Sequence, residues 1–363
     1  MADLFDYIYW RGDLTFEQSE FNQVDGMIFA RLTYVPFERI IGDLPEGSTV
    51  AEASSMLLDL PEIDSLVNVR DDVSLLGAVR KSRRFGEVKL YRYENITDTA
   101  TQTQFAAVTF RLNDSLSCIT FRGTDNTIVG WKEDFNMAFT FPVPAQRMAL
   151  RYVEDVIQSL EGSFIVCGHS KGGNLAVYSS AFCKHLLQNR IAAVYNYDGP
   201  GFDEKVLDTP GYGRICKRTD TFVPQSSIVG MLLGHKEKYV IVHSSQRSAP
   251  LQHNLYSWDI EREGFEQLET VTAGSRFLDN TIRDWLGGLD KSQLEKAADA
   301  LYGIFTETNA STLRELTDNW YANAKIMLQS IKNMDPATKS IVAEMLKALM
   351  VSAKNEVMRK EFV

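Results

Sequence analysis

Histidine and cysteine are scarce in this chain, long apolar runs are missing, and basic charge is in deficit. The 363 residues hold five histidines and four cysteines. Cys118, Cys167, Cys183 and Cys216 lie far apart with no C-x-x-C pair, which gives no support to a zinc site, a redox motif or a disulfide scaffold. Single cysteines inside apolar stretches read as small buried hydrophobes, and a reducing cytoplasm is the expected compartment. The longest greasy patch, Ile228 to Leu233, has six residues, where a membrane span needs about 20. The opening MADLFDYIYWRGDL lacks the basic and then apolar regions of a signal peptide. Lys+Arg total 38 against 48 Asp+Glu, a net charge of -10. No basic stripe is available to displace phosphate counterions, so nucleic acid is excluded as a partner. Neither internal repeats nor low-complexity segments occur.

What is present describes a folded globular chain. Apolar residues make up 44% and charged residues 24%, enough to bury a large core. Residues 1–80 read as helix and loop packed on that core, with Met27 to Leu32 as a buried helix. Short apolar runs follow at Val88 to Tyr93, Phe105 to Leu112 and Ser117 to Phe121, and predict neighbouring antiparallel strands. Beyond residue 128, helical and strand patterns alternate. A helix is predicted over 145–160, with Met148, Tyr152, Val156 and Leu160 on one face. Strands are predicted at Phe164 to Cys167, Ile191 to Tyr197, Arg214 to Lys217 and Tyr239 to Val242, and a helix from Gly172 to Leu187. The alternation predicts an α/β fold with a mixed, mostly parallel sheet covered on both faces. From about 259 the pattern turns helical. Asp290 with Gln293 and Thr312 with Glu315 read as capping boxes. Leu313, Leu316, Trp320, Ala324, Met327 and Ile331 form one apolar stripe, and Asp335-Pro336 opens a last helix. The expected division is thus an N-terminal segment over 1–80, a core over 81–260 and a helical extension over 261–363.

One stretch carries chemistry. Cys167-Gly168-His169-Ser170-Lys171-Gly172-Gly173-Asn174 contains G-x-S-x-G between an apolar strand and a helical segment. Glycine two residues either side of a serine lets the chain turn sharply from strand to helix and hold the serine in a strained, exposed geometry. The order G-x-x-x-x-G-K-[ST] of a phosphate loop is absent.

A serine nucleophile needs a base, and only five histidines can serve. His169 adjoins Ser170, His185 lies far along the next helix, and His235 follows a glycine in a loop. On a strand–turn–helix scaffold of this kind the acid and then the histidine follow the serine, the histidine on a loop past the last strand. His253 fits best, with His243 as runner-up. The acid is expected just after a strand. Asp220 follows the predicted strand Arg214 to Lys217 and is the first choice; Asp198, after Ile191 to Tyr197, is the alternative. Its role is to hold the imidazole's tautomer and stabilise the imidazolium. Oxyanion donors are expected from the Lys171 N–H, next to the nucleophile, and from Thr124 in Phe121-Arg122-Gly123-Thr124.

With these residues placed, the chain resembles the class-three, fungal-type lipase group of α/β-hydrolases. That group carries an F-R-G-T/S loop ahead of a tryptophan and an aspartate, here similar to Trp131 and Asp134. G-H-S-x-G-G follows, and then a strand ending in D-x-V-P that supplies the acid. The resemblance spans roughly 85–258. The whole chain is still more similar to an uncharacterised bacterial family of lipase-like predicted serine hydrolases, on Phe5-Asp6-Tyr7, Trp10-Arg11-Gly12-Asp13, Ser170-Lys171-Gly172-Gly173-Asn174 and Gln252-His253. It implies an α/β-hydrolase fold with a C-terminal helical extension, and a serine ester hydrolase that works through an acyl-enzyme without cofactor or metal. Lys171 stands where lipases have leucine, which favours an anionic head group or acyl-carrier substrate. The segment Asp220-Thr221-Phe222-Val223-Pro224 is one residue longer than D-x-V-P. Met137 to Val143 and Ile228 to Leu233 are candidate walls of an acyl groove. Expected partners are a small acyl ester or lipid and a second copy docked through the C-terminal helices. The competing readings are a catalytically weak binding protein on the same fold, and a thioesterase or peptidase using the same triad.

Overall fold

The fold is that of a computed structural model. It describes residues 2–67, 70–125, 127–137, 140–227, 229–247 and 249–271, with scattered positions from 293 to 342. Its centre is an eight-stranded sheet. Seven strands follow the chain: β1 (Lys89–Asp98), β2 (Thr103–Arg111), β3 (Leu116–Phe121), β4 (Ser163–His169), β5 (Ile191–Tyr197), β6 (Thr219–Pro224) and β7 (Lys238–Val242). A small hairpin, β8 (Ile260–Glu261) with β9 (Gly264–Phe265), comes next, and β10 (Gln267–Leu268) closes the sheet beside β7. Strands β3 to β7 run parallel, while β2 and β10 pair antiparallel to their neighbours. The sheet is mixed and largely parallel, flanked by helices, as in an α/β-hydrolase-like fold.

Strand order explains how both faces come to be covered. From β3 to β7 the spatial order equals the chain order. Right-handed crossovers then place all their helices on one face. There the helices Pro144–Ser159 and Lys171–Phe182 bury Ala149, Val153, Leu175 and Ala176 against Ile119, Phe164 and Val166. The other face, built by alternate residues such as Cys118, Ile165, Cys167 and Phe222, needs helices from elsewhere. The first 87 residues supply them. Helix Gln23–Leu32 is buried from Val24 onward and packs on that face with Val50, Leu57, Leu75 and Phe85.

Two buried ion pairs fasten this N-terminal layer. Arg84 and Asp25 have fully buried side chains, with Arg84 Nε and Nη2 donating to Asp25 at 2.7 and 2.6 Å. Remaining Arg84 protons reach the carbonyls of Leu14, Thr15, Ser19 and Glu20. Arg31 grips Asp72 by two bonds of 2.6 Å, and Tyr256 donates to the same carboxylate at 2.8 Å.

Two expectations are corrected here. Arg214 to Lys217 is helical, not a strand. Thr209 caps the helix Pro210–Ile215, whose first residue is proline, and a 3-10 turn continues over Cys216–Arg218. The stretch after 259 is not helical at once, since β8, β9 and β10 occupy 260–268.

The chain divides into two compact units. The first comprises Met1–Ile96, Phe105–Gly123 and Ala145–Asp279; the second comprises Thr97–Gln104, Thr124–Pro144 and Asn280–Val363. Within the second, Lys132 Nζ pairs with Asp299 at 2.6 Å, and Gln104 N–H donates to Glu133 at 3.1 Å. Helical positions appear at Gln293, at 302–304, at Met327 and Ile331, and from Pro336, where Asp335 accepts from Thr338 N–H at 3.1 Å. Asp290, Thr312, Leu313, Glu315, Leu316, Trp320 and Ala324 lie outside the described residues. No described helix is long and apolar enough to cross a membrane.

Candidate active site

Strand β4 ends at His169, and the helix begins at Lys171. Ser170 between them has φ 58 and ψ -132, a conformation that costs a side-chain-bearing residue roughly 1–3 kcal/mol and persists only where its surroundings enforce it. They do. Ser170 N–H donates to Tyr197 O at 2.9 Å and Gly173 N–H to Ser170 O at 2.8 Å. The flanking glycines are required by close approach. A Cβ on Gly168 would sit 2.2 Å from Gly172 O, and one on Gly172 would sit 2.1 Å from Phe121 O.

Strand β5 delivers the acid. Asp198 follows its last residue, has φ 51 and is 1% exposed. His253 Nδ1 donates to Asp198 Oδ2 at 2.6 Å. The other carboxylate oxygen accepts from Gly230 N–H at 3.1 Å and from the Ser227 hydroxyl. Asp220 is the first choice from the sequence, and the structure does not bring it to His253. In the register of β5 and β6, Asp220 sits beside Tyr195, while Tyr197, just before Asp198, faces Phe222. Asp220 therefore lies about three residues, roughly 10 Å, back toward the N-terminal ends of the parallel strands, where its carboxylate faces Lys238 at 3.8 Å.

His253 is held from several sides. Gln252, just before it, is buried; it accepts from Ser226 N–H at 2.8 Å and donates to Gln246 O at 2.7 Å. Trp258 Nε1 donates to Gln252 O at 2.8 Å. The ring of His169 packs on the ring of His253 with centroids 4.5 Å apart. His169 Nε2 bonds His253 O at 2.9 Å, and a carbonyl only accepts. The proton is therefore on Nε2, and Nδ1 accepts from Tyr34 OH at 2.9 Å. Tyr34 OH in turn accepts from Gly123 N–H at 3.0 Å. Burial, then the neighbouring His253 and Arg31, hold the pKa of His169 well below the ordinary histidine value.

The other histidines have separate places. His185 is exposed. His243, the runner-up base, pairs with Asp259 at 2.5 Å. His235 bonds Glu237 through Nδ1 at 2.8 Å and Gly230 O through Nε2 at 3.0 Å, so it braces the same turn whose N–H meets Asp198. Burial raises the pKa of Glu237, but the bond and charge of His235, with Thr221 and Tyr212 as donors, outweigh it and bring it down to about 2.

Lys171 is 2% exposed and is the first residue of the helix that follows Ser170. Thr124 belongs to the second unit, where its hydroxyl donates to Asp134 at 2.5 Å. The expected groove wall Ile228 to Leu233 includes a 3-10 turn over Val229–Met231 that supports Asp198; Ile228 lies outside the described residues. In the other wall, residues 138 and 139 lie outside them too. Tyr34 and Glu237 carry no sequence signal of a site role, and His235, one of the five candidate bases, supports the acid's turn instead. Tyr34 sits at the end of an apolar helical stretch and reads as core.

A largely parallel sheet between helices, with Ser170 on a strained strand-to-helix turn at the end of a central strand, is consistent with an α/β-hydrolase-like fold. Residues 79–303 match the Mbeg1-like family, and the chain belongs to that family. No curated protein matches it. Among solved structures it is similar to a mutant form of MDLA from Penicillium cyclopium, at 10% identity over 71% of this chain and 89% of that one, with a TM-score of 0.42. A fungal lipase structure matches at 8% identity over 70% and 89%, TM-score 0.42. A deletion mutant of the Rhizomucor miehei lipase–propeptide complex matches at 13% identity over 70% and 74%, TM-score 0.40.

Proposed function

We propose that this protein is a serine hydrolase of acyl esters, with Ser170 as nucleophile, His253 as general base and Asp198 as the orienting acid. The observation that carries the reading is the 2.6 Å bond from His253 to a buried aspartate, where that aspartate follows the strand next to the serine turn. Asp198 fixes the proton on Nδ1 and leaves Nε2 to take the proton from Ser170. Ser170 Oγ then bonds the acyl carbon, and the carbonyl π electrons move to oxygen. The Lys171 N–H, directly after the nucleophile, donates to that oxyanion. Each such donor is worth about 3 kcal/mol. His253 returns the proton to the leaving alkoxide, and water, deprotonated by the same ring, releases the acid from the acyl-enzyme.

A fluorophosphonate probe tests this directly. Ser170 is expected to be labelled in the folded protein at pH 7–8, and Ser170→Ala is expected to lose both labelling and hydrolysis of a short p-nitrophenyl ester. Absence of labelling in the folded wild-type chain overturns the reading in favour of a non-catalytic binding protein. Turnover of an acyl thioester or a peptide, with no ester hydrolysis, moves the same triad to a different leaving group.

A further inference from the structure

Outside the proposed triad, three metal-ligating side chains converge at the end of β7. His243, Asp259 and Glu266 each offer a ligand atom, and these atoms all lie within 4.8 Å of one another. His243 Nδ1 is 2.5 Å from Asp259 Oδ2 and 3.7 Å from Glu266 Oε2. The three come from successive segments of the chain, and their main chains form a closed ring. His243 N–H donates to Glu266 O at 2.8 Å, Glu266 N–H to Asp259 O at 2.9 Å, and Asp259 N–H to His243 O at 2.9 Å. The backbone therefore fixes where the side chains start, and little ordering is left for a ligand to impose.

The charges do not balance. Two carboxylates face one imidazole, and among the described residues neither has another cationic partner. Glu266 Oε2 is buried with no hydrogen-bond partner, a state that costs a charged oxygen more than a neutral acceptor. One nitrogen and two carboxylate oxygens suit a borderline first-row cation such as Zn²⁺, whereas Mg²⁺ and Ca²⁺ prefer all-oxygen shells. The 3.7 Å gap is close to the roughly 3.4 Å that separates two ligands on a tetrahedral zinc. Asp259 has to draw back from His243 by about 1 Å to match that spacing. The side chains are 29%, 8% and 32% exposed, so an ion can reach them and keep water in the fourth position.

We propose that His243, Asp259 and Glu266 form a zinc-type divalent-cation site that clips the end of β7 to the segment carrying β8, β9 and β10. The ion binds the Nδ1 lone pair and one oxygen from each carboxylate, and any proton on Nδ1 leaves to solvent. No residue of the proposed triad takes part, and the site stands whether or not the chain hydrolyses esters.

The test uses the untagged full-length chain, stripped with a chelator and titrated with ZnCl₂ by calorimetry and thermal unfolding. One Zn²⁺ per chain is expected, with a higher Tm and affinity that falls with pH. Glu266→Gln should keep the metal-free Tm and weaken Zn²⁺ binding at least tenfold. Co²⁺ should give visible absorption that the same variant loses. His243→Gln serves as a second variant if Glu266→Gln does not fold. No stoichiometric binding overturns the proposal, as does a variant that binds Zn²⁺ as tightly as wild type. A Tm rise with Mg²⁺ or Ca²⁺ and none with Zn²⁺ overturns the assignment of the ion.

Discussion

His169 hands its only proton to the carbonyl of His253, 2.9 Å away, and takes one from Tyr34. Both bonds require a neutral ring. The pKa of His169 is held well below 6.5 by burial, with His253 and Arg31 beside it. In the unfolded chain the ring takes up a proton as pH falls through about 6.5, and in the folded chain it does not. Stability should therefore decline from pH 7.5 to pH 5. His169→Gln should flatten that decline; urea unfolding at the two pH values checks it. An equally steep loss in the variant would assign the acid sensitivity to another group.

Asp198 and Asp220 differ by role, and substitution separates them. Asp198→Asn should lower kcat for ester hydrolysis by about 10⁴-fold, the loss expected when an orienting carboxylate is neutralised. Asp220→Asn removes only a partly exposed 3.8 Å contact with Lys238, so its rate should stay within a few-fold of wild type. The reverse pattern would restore Asp220 as the acid.

Glu237 lies deep and ionised, with its pKa drawn from 4.5 down to about 2. Because the folded value is the lower one, its contribution is complete above about pH 4.5 and is lost as pH falls toward 2. The shift corresponds to about 3 kcal/mol at pH 7. Glu237→Gln should cost up to that amount at neutral pH and little at pH 2.5. It should also reduce turnover, because His235 holds the turn beneath Asp198. Denaturation midpoints at the two pH values, with kcat at pH 7.5, are the measurements.

Asp25→Ala leaves the Arg84 guanidinium buried without its anion. Loss of one partner of such a pair costs about 3–5 kcal/mol, and equilibrium unfolding should show it. A cost below 1 kcal/mol would mean that the carbonyls of Leu14, Thr15, Ser19 and Glu20 suffice for Arg84.

Much of the architecture is legible in the sequence. Alternating runs mark β1 to β5 and β7, and the glycine spacing around Ser170 marks the turn, because each is a local pattern. The acid is harder. Arg214-Ile215-Cys216-Lys217 imitates a strand by its apolar centre, and that reading makes Asp220 look like a residue at a strand end. Thr209-Pro210, a capping residue followed by proline, announces a helix there. With that helix in place the strand begins at Thr219 and Asp220 falls at its near end. The cluster of His243, Asp259 and Glu266 follows no known ligand spacing, since its members meet through the Ser244–Trp258 bridge, the β8–β9 hairpin and the backbone bonds at the end of β7. Tyr34 is illegible for the same reason: its partner is 135 positions away.

The strand order sets a limit on how this chain can be divided. The family match begins at residue 79, but the helices that cover one face of the sheet lie almost wholly before it. A fragment trimmed to the matched region would keep Ser170, Asp198 and His253 yet strip the cover from Cys118, Ile165, Cys167 and Phe222. It would also remove Tyr34, Arg31 and Asp72, which tie down the loop bearing His253. Such a fragment should come out of expression as aggregate, with a bare apolar wall for its neighbours to stick to. The smallest working piece of this protein thus has to begin near its first helix, well ahead of the region by which the family is recognised.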